Sequence, residues 1–375
     1  MSRFGIRGTL ARTAAVILGC CAIGSVALLV AGIHGTGATT RAFAPLPFVD
    51  MWIRWDAGWY QGIATDGYYF SRSEQSSVAY FPLYPMGLRA LVWAGVNPFI
   101  AGIAFTVVCG LIAVCLFSLW ARGFAGAEAS ARATWLLLLW PFAFFLYGAV
   151  YSDALFLALA IGSFLCLERR SVGAATLLAA LATATRPVAP ALAIGLLIRN
   201  LELSRRSGGR VRPRDLLPAL SLLGLAAYMI FLAEKFGDPF AFVKAQSAWN
   251  QEPGLSSLLK LGFFGRVFST RAYGDLVLPL FHAAAAVAFL CLAIPTRRLL
   301  GTGYAVYVAA VIGVPLLSSR NFIGLGRYCL AAFPCFLTLA LLLEHRPRAR
   351  RAWTVVSAAL LAVMVSQFAI ARYVS

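Results

Sequence analysis

Two aspartates in this sequence have surroundings suited to proton transfer. Asp56 lies in Trp52-Ile53-Arg54-Trp55-Asp56-Ala57-Gly58-Trp59-Tyr60, a carboxylate set among tryptophans and a tyrosine. Amphipathic rings of this kind settle at headgroup depth in a bilayer. A carboxylate held among them reaches a lipid-borne substrate without entering hydrocarbon. Asp153, in Tyr151-Ser152-Asp153-Ala154-Leu155-Phe156, opens an apolar run. Apolar surroundings raise a carboxyl pKa toward neutrality and make it a competent general base. Each aspartate also reads more simply, as the N-cap of the helix after it.

The cations add a second kind of chemistry. Arg186, in Thr185-Arg186-Pro187, interrupts an apolar stretch, and Arg320 and Arg327 bracket the short run Asn321 to Gly326. Lys244 and Gln246 sit in a segment that begins Gly237-Asp238-Pro239 and ends at Trp249. Cations at membrane depth or on the outer face pair with acids or mark a substrate path. Arginine suits a phosphate group because its planar fork bonds two oxygens at once. The plainer reading is a salt bridge to Asp153 or Asp238, or a side chain reaching out to lipid phosphates.

The elements that position these residues follow from composition. Of 375 residues 61% are hydrophobic and 12% charged, where a soluble domain is nearer half apolar and a quarter charged. The chain reads as an all-α polytopic membrane protein. About eleven spans are expected, near 13–33, 98–120, 133–150, 154–168, 172–185, 187–199, 216–234, 276–295, 300–317, 328–343 and 353–371. The first comes after Arg3, Arg7 and Arg12 and lacks a small-residue cleavage site, so it is expected to stay uncleaved.

The formal net charge of +18 would point to nucleic acid in a soluble protein. Here the basic residues gather at the N-terminus and in alternate short loops, near 122–132, 169–170, 199–214, 297–298 and 346–351. That is the positive-inside pattern; it orients the chain and favours anionic membrane lipid as a partner, with no nucleic acid. The N-terminus is thereby expected in the cytoplasm, and the loops 34–97 and 235–275 outside, within a single domain over 1–375. In the first loop, Ala57 to Asp66 is expected to be a short helix stopped by Gly67. Phe81 to Pro85 is expected to be extended, and Gly87 to Gly95 an interfacial helix. The eight cysteines lie mainly in apolar runs and read as buried thiols. His34, His282 and His345 are too scattered to suggest a metal cluster. Neither a Walker A loop nor a strand-linked Gly-rich fingerprint is present. No cofactor is assigned, and a divalent cation is left open.

Taken in order, Arg54-Trp55-Asp56-Ala57-Gly58-Trp59-Tyr60, Ala64-x-x-Gly67-Tyr68 and Phe81-Pro82-Leu83-Tyr84-Pro85 resemble the PIG-V family of membrane mannosyltransferases. So do the downstream segments Tyr151 to Phe156, Thr185-Arg186-Pro187, Gly237-Asp238-Pro239 through Trp249, and Arg327-Tyr328 with Phe333-Pro334. The likeness runs from about residue 48 to 340 and is most specific in the first loop. It implies a GT-C-type helical bundle with its active site on the outer face. It also implies a polyprenyl-phosphate-linked sugar donor and inverting transfer of a hexose, mannose in the family, to a glycan or glycolipid acceptor. Asp56 takes the place of the family's catalytic base. Asp153 takes that of a second acid which is usually Glu, so this chain departs from the pattern by one methylene. The implied substrate-binding set is Arg54, Trp55, Trp59, Tyr60, Tyr84, Arg186, Lys244, Gln246, Trp249, Arg320 and Arg327. The Ala- and Arg-rich composition points to a bacterial plasma membrane. Two other classes use the same residues: a transporter or flippase of lipid-linked sugar, and a non-catalytic assembly subunit built on the same scaffold.

Overall fold

The structure, a computed structural model, describes residues 5–34, 43–72, 74–206, 208, 211–249, 255–269, 274–319 and 321–374. Those residues form α- and 3-10 helices joined by turns, with no strand among them. Among the described residues, five helices are long and apolar enough to cross a membrane: Ile6–His34, Pro98–Leu138, Pro213–Phe236, Leu276–Leu299 and Pro347–Ala369. Counting the broken run 325–342 as one span makes six. Other expected spans are helical but short. Asp153–Glu168, Val172–Thr183, Pro190–Arg206 and Thr302–Ser318 have 16, 12, 17 and 17 residues. At 1.5 Å per residue the longest of these reaches roughly 26 Å, less than the roughly 30 Å of hydrocarbon.

The chain divides into two compact units. The first comprises Met1–Thr65, Tyr84–Leu165 and Phe333–Val374. Its N-terminal helix, Ile6–His34, buries Thr9, Thr13, Cys20, Gly24 and Ala31. These small residues recur at alternating steps of four and seven, so they form one stripe. The stripe lets the backbone approach Pro98–Leu138 and Pro347–Ala369 closely. The remaining faces carry exposed Leu18, Val26, Leu29 and Ile33, as a lipid-facing helix should. Pro347–Ala369 answers with Ser357, Leu361, Met364, Val365 and Phe368 on one buried face.

Pro98–Leu138 is a helical hairpin rather than one rod. Gly126 takes φ 76°, outside the helical region and favoured by glycine. The Ser130 hydroxyl donates to the Ser118 carbonyl at 2.8 Å, whereas twelve residues of straight helix would separate them by about 18 Å. The turn falls where the sequence placed a basic loop. The third expected span, 133–150, is corrected: helix ends at Leu138, and a 3-10 turn, Ala143–Leu146, comes next. Pro141 supplies no N–H to continue the helix. That turn packs so tightly that a Cβ on Gly110 would lie 2.0 Å from the Leu146 carbonyl oxygen. Phe144, Phe145, Tyr151 and Phe368 form an aromatic core beside it, with ring centroids 4.4 to 6.3 Å apart.

The second unit comprises Asp66–Leu83 and Cys166–Ala332. Thr302–Ser318 packs on Pro190–Arg206 and on Gly274–Leu299, and Val172–Thr183 packs on the 3-10 segment Pro213–Leu222. Arg199 joins two of these helices and a third, donating to Glu168 at 2.7 and 3.1 Å and to Glu202 at 3.3 Å. Glu202 in turn accepts the Thr302 N–H at 2.6 Å, capping the next helix. The expected span 328–343 is also corrected: helix stops at Ala331 and resumes at Pro334, because proline cannot extend a preceding helix.

Candidate functional site

In the first unit the tryptophan-rich segment is anchored at both ends. Asp50 accepts the backbone N–H groups of Phe43 at 2.7 Å and Ala44 at 3.0 Å, and forms an ion pair with Arg54. Arg54 also donates to the Ala369 carbonyl at 3.1 Å. It is buried, and its bonds tie the loop to the C-terminal helix. Asp50, four residues back, pairs with it in place.

Downstream, the same segment bonds to the one that carries Asp153. The Val150 N–H donates to the Trp52 carbonyl at 3.1 Å, and the Asp56 N–H donates to the Tyr151 hydroxyl at 3.2 Å. The Tyr60 and Ser152 hydroxyls lie 2.9 Å apart. Tyr151 and Ser152 thus bond the segment before Asp153 to the Asp56 segment. The sequence alone assigned these two residues no role; they lie next to Asp153, and that adjacency was the signal available. Asp153 is the first residue of Asp153–Glu168 and only 3% exposed; a carboxylate there also meets the positive end of the helix dipole. Asp56 is half-buried, just before Ala57–Thr65.

Just before Asp56 the backbone is strained. Trp55 holds φ at 55°, an uncommon conformation for a residue with a side chain. Its ring meets Tyr373 edge-on at 5.1 Å. Such strain persists only where surrounding contacts over-determine it, and it gathers at functional sites. Trp59 is half-buried on the next helix. Arg89 closes that helix, donating to the carbonyls of Ile63 at 2.7 Å and Ala64 at 2.8 Å.

Helix in this region extends further than expected. Leu83–Trp93 starts inside the Phe81–Pro85 motif, because Pro85 falls in the first turn, where no N–H is needed. Tyr84 is thereby turned inward. It is fully buried, its hydroxyl lies 2.6 Å from the Thr106 hydroxyl, and its ring lies 4.9 Å from that of Tyr60. It packs against Tyr60 from within the fold.

The second unit holds a cavity of about 320 Å³. Pro187, Val188, Phe242, Gln246, Pro315 and Tyr328 are among its lining residues. Arg186, beside Pro187, is 6% exposed and holds its guanidinium 5.0 Å from the Tyr328 ring centre, a cation–π arrangement. Half-buried Arg327 adjoins Tyr328 on Leu325–Ala331. The start of that helix is pinned by His282, whose Nδ1 accepts the Gly326 N–H at 2.9 Å. Lys244 is drawn aside: its ammonium lies 2.5 Å from Asp238, although its side chain is 54% exposed. The Lys244 ammonium holds the Asp238 carboxyl below the usual carboxylate range. The acid partner foreseen for an arginine thus belongs to this lysine. Arg320 and the side chain of Trp249 lie outside the described residues.

No protein-family model and no curated protein matches this chain. Among solved structures, the chain is similar to a crystal structure of the Archaeoglobus fulgidus oligosaccharyltransferase in the apo form, with a TM-score of 0.49 and 12% sequence identity. The likeness covers 94% of this chain, which spans 56% of the length of the other.

Proposed function

We propose that the chain is a membrane glycosyltransferase of the GT-C kind, moving a hexose, and by its family resemblance mannose, from a polyprenyl-phosphate donor to an acceptor hydroxyl. The observation that carries this reading is the Asp56 segment itself. A half-buried aspartate comes directly after a strained tryptophan, and its backbone N–H and the nearby Tyr60 hydroxyl bond to Tyr151 and Ser152, just before a second aspartate.

The chemistry balances with one base. Asp56 takes the acceptor's hydroxyl proton as the acceptor oxygen bonds to the anomeric carbon. The bond from that carbon to the phosphate oxygen breaks, and its electrons leave on the phosphate. Attack opposite the leaving group inverts the anomeric centre. A phosphate departs without the protonating acid that glycosidases need. Asp153 is the second acid, held rigid and dry at its helix start. In the second unit, Arg186 and Arg327 are of the type that binds a phosphate group. The apolar cavity beside Arg186 and Gln246 suits isoprenoid carbons. Half-buried Trp59 and, by the family resemblance, Tyr60 are suited to stacking on sugar. The reading puts the reaction on the extracytoplasmic face of a bacterial plasma membrane, with a glycan or glycolipid acceptor.

The test is transfer by the purified chain in lipid, from polyprenyl-phosphate-mannose and polyprenyl-phosphate-glucose, to mixed hydroxyl acceptors. The expected result is an Asp56-dependent product with inverted anomeric configuration, mannose being preferred. Donor binding with no transfer to any acceptor would overturn the enzymatic reading.

A further inference from the structure

The first unit holds a second pair of cavities that the proposed reaction does not use. One, of about 470 Å³, runs between the latter half of the Pro98–Leu138 hairpin and the helices Pro334–Leu342 and Pro347–Ala369. Trp135, Leu136, Leu139, Leu343 and Val355 give it apolar walls. The other, of about 330 Å³, adjoins it and shares Arg132, Trp135 and Arg350. Its remaining lining includes Arg12 and Glu128. An apolar groove thus opens onto a charged mouth, which is the shape of a lipid: chains at one end, headgroup at the other.

The charge of the mouth selects the headgroup. Arg12, Arg132, Arg350 and Arg351 line the two cavities. The acids are Glu128, 3.7 Å from Arg132, and Glu344, 2.6 Å from it. Four positive charges against two negative leave an excess of two, which a phosphate-bearing anion would neutralise. The Arg12 guanidinium stands 6.0 Å from the centre of the Trp135 ring. Trp135 is 37% exposed, an indole placed as at a membrane interface. Arg12, Arg132 and Arg350 belong to the basic segments that the charge pattern assigns to the cytoplasmic side. Basic pockets between membrane helices on that side suit anionic headgroups. Glu344 and Glu128 hold Arg132 in place, so the mouth is partly ordered before anything binds.

We propose that this groove is a binding site for an anionic phospholipid of the inner leaflet. The acyl chains would lie along Leu136, Leu139, Leu343 and Val355, with the headgroup phosphate between Arg350, Arg351 and Arg12. The lipid would fasten the N-terminal helix to the hairpin and to the C-terminal helix at their charged ends.

The test is native mass spectrometry of the full chain, delipidated in neutral detergent and titrated with phosphatidylglycerol or phosphatidylcholine of the same acyl chains. The wild type is expected to retain phosphatidylglycerol roughly 10-fold more strongly. R350Q/R351Q should lose that preference, and R205Q/R206Q, which alters a basic pair elsewhere, should keep it. Millimolar inorganic phosphate should not displace the lipid. Equal retention of both lipids by wild type, an unchanged preference in R350Q/R351Q, or an equal loss in R205Q/R206Q would overturn the proposal. Displacement by phosphate alone would overturn the role of the groove. If R350Q/R351Q does not fold, a photoactivatable phosphatidylglycerol decides on the wild type: cross-links within 128–139 and 347–355 support the site, and cross-links elsewhere reject it.

Discussion

At the scale of single residues, Asp56 carries the proposed reaction, and its role separates from capping by one substitution. Asn caps a helix about as well as Asp, so Asp56→Asn should insert and fold normally. Positioned proton transfer contributes roughly 10²–10⁴-fold. Asp56→Asn is therefore expected to bind donor lipid with little change and to transfer sugar at least about 100-fold more slowly. Near-normal turnover would make Asp56 a structural residue. Arg327→Gln should instead weaken donor binding together with turnover, read as a higher KM and a lower kcat. Arg54 contrasts with both. Its bonds to Asp50 and the Ala369 carbonyl lie within the fold, so its removal should leave a buried carboxylate uncompensated and lower stability first.

At the scale of elements, proline and glycine decide where helices stop and how closely they approach. Gly110 is a sharp case, since any side chain there meets the Leu146 carbonyl. Gly110→Ala should lower the thermal unfolding temperature in detergent by the equivalent of about 1–3 kcal/mol, the usual cost of overpacking. Gly19→Ala meets nothing within 4 Å and should be neutral or slightly stabilising. The segment after Gly237 makes a pH-dependent prediction. The bond from Lys244 holds Asp238 below its ordinary carboxylate pKa. A depressed folded-state pKa contributes stability above the unfolded value, about 3.9, and loses it as pH falls through the folded value. Hydrogen–deuterium exchange over 237–245 should therefore stay slow from neutral pH down to about 4 and quicken below it. Lys244→Gln should quicken exchange at pH 7 and flatten that dependence.

At the scale of the whole chain, the proposal depends on orientation. With the basic segments in the cytoplasm, the Asp56 loop lies outside, where a polyprenyl-phosphate sugar presents its headgroup. Glu74 and Arg205 are both exposed and fall on opposite sides of that scheme. In a background lacking the eight native cysteines, a membrane-impermeant thiol reagent added outside should label Glu74→Cys and spare Arg205→Cys. The reverse pattern would invert the chain and remove the donor reading with it.

Local chemistry made a large part of this legible beforehand. Apolar runs became helices because backbone groups in hydrocarbon must be satisfied within the segment. The basic turn near residue 126 was legible, and glycine geometry makes it; the stop before Pro334 follows from proline geometry but fell inside an expected continuous span. The short helix after Asp56 was legible for the same reason: it spans Ala57–Thr65, two residues short of Gly67. Tertiary structure alone decided what the polar side chains touch. Arg54 meets a carbonyl 315 residues away, Asp56 meets a tyrosine 95 residues away, and Tyr60 meets a serine 92 residues away. Residue type announces that a buried guanidinium or phenol needs a partner; it does not say which one. The inward turn of Tyr84, the pairing of Lys244 with Asp238 and the stacking of Arg186 on Tyr328 arise only when distant segments pack. Burial then raises the cost of leaving any of these groups unbonded.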